Sequence, residues 1–131
     1  MVTLMIGTNH FHNAKAKSGY QPDSTADVYR GIQEIVREIR TRLPQSKIVV
    51  FSVFPRKSPE QVRVVALNAI LPQIADDRTI FHREINSIFL NENGELRKEL
   101  YRRDQLHLSS EGYEAWARRL KTVLEEYNFK I

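Results

Sequence analysis

The sequence predicts an α/β fold built around a parallel sheet, and two observations carry that reading. Short, almost unbroken apolar runs at Met1–Ile6 and Ile48–Phe54 have the composition of strands buried on both faces. Other segments return an apolar residue every third or fourth position, with charges on the opposite side, as amphipathic helices do. The order is strand, helix, strand, helix, strand, helix, which favours parallel pairing with right-handed crossovers.

Each element has its own signal. Gly7 stops the first strand, and Gly7-Thr8-Asn9-His10 follows as a turn in which glycine permits close backbone approach. His12 to Ser24 is a polar loop with Gly19, Pro22 and Asp23 as turn formers. Asp23 or Ser24 opens a helix striped by Val28, Ile32, Ile35, Val36, Ile39 and Leu43, and Pro44 ends it. The second strand runs through Ile48–Phe54 to Pro55. Ser58 or Pro59 opens a second helix whose apolar positions are Val62, Val65, Leu67, Ile70, Leu71 and Ile74, with Pro72 disturbing its last turn. Thr79–His82 makes a short third strand and Asn91–Gly94 a turn. The last helix, Ser110 to about Tyr127, carries Tyr113, Trp116, Ala117, Leu120, Val123, Leu124 and Tyr127 on one face.

Composition narrows the function classes. A chain of 131 residues suits one domain with one core, here residues 1–131. With 41% hydrophobic and 27% charged residues it has the balance of a globular protein, and no apolar run reaches bilayer length. The absence of cysteine excludes disulfides, thiol nucleophiles and thiolate metal sites. The net charge of +4 is spread beside acids, as in Arg37-Glu38-Ile39-Arg40, which argues against a nucleic-acid partner. Met1–Ile6 lacks the basic lead-in of a secretory leader, so the cytoplasm is the favoured compartment for this chain, and that of any longer protein stays open.

The chemistry concentrates near the end of the chain. Asp104 and His107 stand three apart, just before a helix that Ser109 or Ser110 can cap. A carboxylate beside an imidazole fixes the ring's tautomer and stabilises its protonated form, the orienting half of a nucleophile–base–acid triad. The plainer alternative is a solvated Asp–His pair on a loop. In parallel α/β sheets, sites form outside the carboxyl ends of the strands. Asn9 follows the first strand and His107 precedes the last helix, so the two are expected on one rim. His10 and His12 read as an exposed loop pair, with no acidic cluster to complete a metal site. His82 reads as a packed or surface residue, and Tyr113 and Trp116 as core or site wall.

These residues resemble a family. The apolar strand ending Gly7-Thr8-Asn9 and the late Asp104-x-x-His107 are similar to the third and fifth signature blocks of the SGNH (GDSL-type) esterases and acylhydrolases. The tail His107-Leu108-Ser109-x-x-Gly112-Tyr113-x-x-Trp116-Ala117 adds to the likeness, as do Pro44, Phe54-Pro55 and Asn68. The resemblance spans essentially the whole chain and is nearest to the acetylhydrolase/esterase branch. It implies a flavodoxin-like three-layer sandwich, here truncated to about three strands and three helices. It implies Asn9, with Gly7, at the oxyanion, His107 as general base and Asp104 as its partner. No cofactor or metal is implied, and the substrate would be a small acetyl or short-acyl ester of a carbohydrate or lipid-like alcohol.

Two departures stand out. His10 takes a position where the family usually has Asp or Asn. The Gly-Asp-Ser nucleophile block and the second oxyanion glycine are absent, and Ser18, Ser24, Ser52, Ser87 and Ser110 do not sit in that context. The expectation is therefore an esterase fragment missing its N-terminal strands, inactive by itself and open to self-association through the first strand. A non-catalytic pseudo-enzyme or interaction module on the same scaffold is the alternative. A flavodoxin-like phosphate binder is disfavoured, because no glycine-rich loop joins a strand to a helix.

Overall fold

The computed structural model describes residues 1–11 and 24–129. The loop expected from His12, with its Gly19, Pro22 and Asp23 turns, lies outside the described residues, as does Ser18. Strands β1 (Val2–Leu4), β2 (Ile48–Phe51) and β3 (Ile80–Arg83) form one parallel sheet in the order β1-β2-β3. Helix α1 (Thr25–Arg42) connects β1 to β2, α2 (Gln61–Ile70) connects β2 to β3, and α3 (Ser110–Glu126) follows. This is the truncated, flavodoxin-like parallel α/β arrangement that the sequence predicts.

The pleat divides the core into layers. Ile48 and Val50 turn to one face, where Val28, Ile32 and Val36 of α1 and Val64 and Leu67 of α2 cover them. Val49 and Phe51 turn to the other, against Val123, Trp116 and Leu120 of α3. The register pairs Val2 with Ile48 and Val50 with His82. Ser24 starts α1, its Oγ accepting from Asp27 N–H at 3.1 Å while the Asp27 carboxylate accepts from Ser24 N–H. At the other end the Arg40 guanidinium donates to the carbonyls of Pro44 and Ser46.

Several boundaries differ from the sequence reading, each for a visible reason. β2 stops at Phe51 rather than Phe54, because Val53 gives its backbone groups to a side chain instead of a strand. Its N–H donates to Asn68 Oδ1 at 2.8 Å and its carbonyl accepts from Asn68 Nδ2 at 2.9 Å. β3 starts at Ile80, where the Asp76 carboxylate takes the N–H groups of Arg78, Thr79 and Ile80 and turns the chain into the strand. α2 gives way at Leu71–Ile74 to a 3-10 turn containing Pro72. The buried stripe of α2 is Val64 and Leu67, continued by Leu71 in the 3-10 turn, whereas Val62 and Val65 are 72% and 57% exposed. Adjacent β-branched residues leave the phase of such a helix ambiguous, and packing on the Ile48–Val50 face decides it. On α3, Tyr113 is exposed rather than part of the packed face. No described helix is long and apolar enough to cross a membrane.

Candidate active site

The Asp104–His107 turn is held by its own backbone before any tertiary contact acts. Asp104 Oδ1 accepts from Leu106 N–H at 2.9 Å and from His107 N–H at 3.0 Å. Its Oδ2 lies 2.7 Å from His107 Nδ1. These interactions, the imidazole first and the backbone N–H groups after it, hold the Asp104 carboxyl well below the usual carboxylate range. A proton on Nδ1 satisfies the carboxylate and leaves the Nε2 lone pair free to take a proton from an incoming group. The pair is open to solvent, with side chains 61% and 47% exposed. Among the described residues no serine hydroxyl bonds to the imidazole.

Secondary contacts fix where the turn sits. Tyr101 and Leu108 form an antiparallel bridge across it, and Arg102 N–H donates to His107 O at 2.8 Å. Ser109 then caps α3, accepting from Gly112 N–H at 3.1 Å while its hydroxyl donates to Glu99 O. The same contact accounts for Gly112. A Cβ at that position would stand 2.0 Å from the Leu100 carbonyl oxygen, so only glycine lets the helix start this close to the turn.

Asn9 sits in the 3-10 turn Thr8–Phe11, exposed, with Phe11 buried as the anchor of the turn. Gly7 reaches that turn at φ +121°, a backbone state that favours glycine, and a Cβ there would press on Val28 and Leu67. Beside it a cavity of about 350 Å³ is lined by Ile6, Gly7, His10 and residues of α1.

Asn9 and His107 share no direct hydrogen bond, but one segment holds both loops at the carboxyl end of the sheet. Arg56 Nη1 donates to Thr8 O at 3.1 Å and Thr8 Oγ1 at 2.9 Å. The carbonyl of the preceding Pro55 accepts from the Tyr101 hydroxyl at 3.0 Å. Burial pushes the Tyr101 hydroxyl's pKa upward, so it stays a donor. The sequence reading missed both Arg56 and Tyr101. Arg56 follows the noted Phe54-Pro55 pair, but that it is 6% exposed with no acidic partner among the described residues is visible only in three dimensions. His82, read as packed or surface, is half-buried and lies 3.1 Å from Ser52 Oγ through its Nε2.

Known proteins share both the sequence pattern and the fold. Residues 1–115 match the model of the GDSL-like lipase/acylhydrolase family. The chain is 28% identical over 121 residues to the rat platelet-activating factor acetylhydrolase IB subunit alpha2, covering 86% of this chain and 46% of that protein. It therefore spans about half the length of that curated relative. A GDSL-like lipase from Bacteroides thetaiotaomicron shares the fold at TM-score 0.72 and 20% identity, over 97% of this chain and 62% of that one. A peptidoglycan O-acetylesterase does so at TM-score 0.71 and 20% identity, over 96% and 37% respectively.

Proposed function

Since the chain belongs to the GDSL-like lipase/acylhydrolase family, we propose that it supplies the base, its carboxylate partner and an oxyanion donor of an acyl-ester hydrolase. The observation that carries this reading is the Asp104 carboxylate locked by two backbone N–H groups and set 2.7 Å from His107 Nδ1. In this reading His107 Nε2 takes the proton of a serine hydroxyl, Asp104 steadies the imidazolium, and the Asn9 amide donates to the oxyanion. The serine comes from a Gly-Asp-Ser segment outside these 131 residues. The ester is acetyl or short-acyl, on a carbohydrate or lipid-like alcohol.

The test uses p-nitrophenyl acetate. The 131-residue chain shows no turnover that depends on His107. Joined behind a Gly-Asp-Ser-bearing N-terminal half from a family member, it turns over, and His107→Ala lowers that rate by about a thousandfold or more. A folded fusion that stays inactive, or one indifferent to His107→Ala, would refute the proposal.

A further inference from the structure

The register of β2 and β3 brings together a second pair of side chains that the Asp104–His107 site does not use. Ser52 N–H donates to Arg83 O at 3.1 Å, which carries the ladder one residue past β2. Ser52 therefore faces the α2 side, as Val50 does, and so does His82, the ladder partner of Val50. Ser52 Oγ and His82 Nε2 are 3.1 Å apart, and Ser52 is 1% exposed. Both line a cavity of about 410 Å³ between α2 and the β3 edge, walled by Val65, Pro72 and Leu90.

The surroundings suit proton transfer. Burial lowers the His82 pKa below its ordinary value, so the ring is neutral near pH 7, the form that accepts a proton. Glu84, just past the end of β3, also lines the cavity, and its charge favours the imidazolium once formed. The cavity also has unmet hydrogen-bonding capacity. Asn86 Oδ1 is buried without a hydrogen-bond partner among the described residues. Gln61 Oε1 accepts from Arg56 N–H at 2.6 Å, which leaves the Gln61 amide N–H groups to donate to a developing oxyanion. Apolar walls over a few convergent polar groups are the composition of a small-molecule site.

We propose that Ser52 and His82 are a second nucleophile–base pair, which accepts a short apolar acyl group from an activated ester. Ser52 Oγ attacks the ester carbonyl carbon and its proton passes to His82 Nε2. The tetrahedral intermediate then collapses, the ester C–O bond breaks, and the leaving oxygen takes the proton from Nε2. The products are acyl-Ser52 and the free alcohol. The pair lies on the α2 face, whereas the His107 turn packs beside α3, and the proposal does not depend on the roles given to Asp104 and His107.

The experiment incubates the 131-residue chain with p-nitrophenyl butyrate, following the p-nitrophenolate burst and the protein mass, with peptide mapping of the adduct. The expected result is a single butyryl group on Ser52. Ser52→Ala abolishes it and His82→Gln slows it about a hundredfold. Ser87→Ala, at an exposed serine outside the cavity lining, leaves it unchanged. Val65→Trp fills the cavity from a wall position that is 57% exposed, and it also suppresses the adduct. An unmodified wild-type chain, an adduct on another residue, or wild-type rates in His82→Gln or Val65→Trp would each overturn the proposal.

Discussion

The Tyr101 hydroxyl donates to the Pro55 carbonyl at 3.0 Å, across 46 residues of sequence. This one bond fastens the loop carrying His107 to the segment whose next residue, Arg56, holds the Asn9 turn. Tyr101→Phe leaves the Pro55 carbonyl without this donor and is expected to cost about 1 kcal/mol in urea unfolding. Amide exchange in Arg102–His107 should quicken more than exchange in β2. Equal quickening in both would mean the bond has only a global role.

Gly112 and Gly31 should respond to alanine in opposite directions. At Gly112 the new methyl meets the Leu100 carbonyl oxygen at 2.0 Å, so α3 or the His107 turn must shift, at a cost of about 1–3 kcal/mol. Gly31 lies inside α1, where an added Cβ would have nothing within 4 Å, and alanine there should stabilise by about 0.5–1 kcal/mol. Thermal or urea unfolding of the two variants checks both signs.

The outer edge of β1 is proposed as a self-association surface. Val2 N–H donates to Lys47 O at 2.8 Å, and strand alternation turns the backbone groups of Thr3 to the opposite edge. Among the described residues no strand pairs there, and Ile6 beside it is 39% exposed. Such an edge recruits another strand. Light scattering should show association that grows with concentration, and Thr3→Pro should suppress it while keeping the β1–β2 ladder. A monodisperse monomer at high micromolar concentration would contradict this.

Acid should weaken the fold in two stages. The His82 pKa is depressed in the fold, chiefly by burial, with Glu84 opposing and Arg83 assisting. Below its ordinary value of about 6.5 the unfolded chain takes up a proton that the folded chain resists, so stability falls as pH drops through that value. His82→Gln should flatten this first stage. Asp76 and Asp104 are also depressed, by hydrogen bonds to their carboxylates, so their contribution is complete above about pH 4 and drains away below it. Asp76→Asn should soften the second stage. Urea midpoints across pH read both.

Much of this molecule is written in the chain itself. The alternation of apolar runs with helical stripes determines three parallel strands and three helices, because strand and helix periods are local properties of sequence. Asp104 and His107 are legible for the same reason: a turn of four residues closes on itself, and the carboxylate finds the ring and two N–H groups without help from the rest of the fold. Gly7 and Asn9 could be placed at a strand end and on one rim with His107, but nothing local to either motif fastens the two loops together. Only tertiary structure supplies the Thr8–Arg56 and Pro55–Tyr101 bonds that do so. It also chose Val64 over Val65 as the buried side of α2, where the local pattern was ambiguous. Ser52 and His82 were invisible as a pair, since 30 residues separate them and a shift of one residue in strand register would turn them to opposite faces.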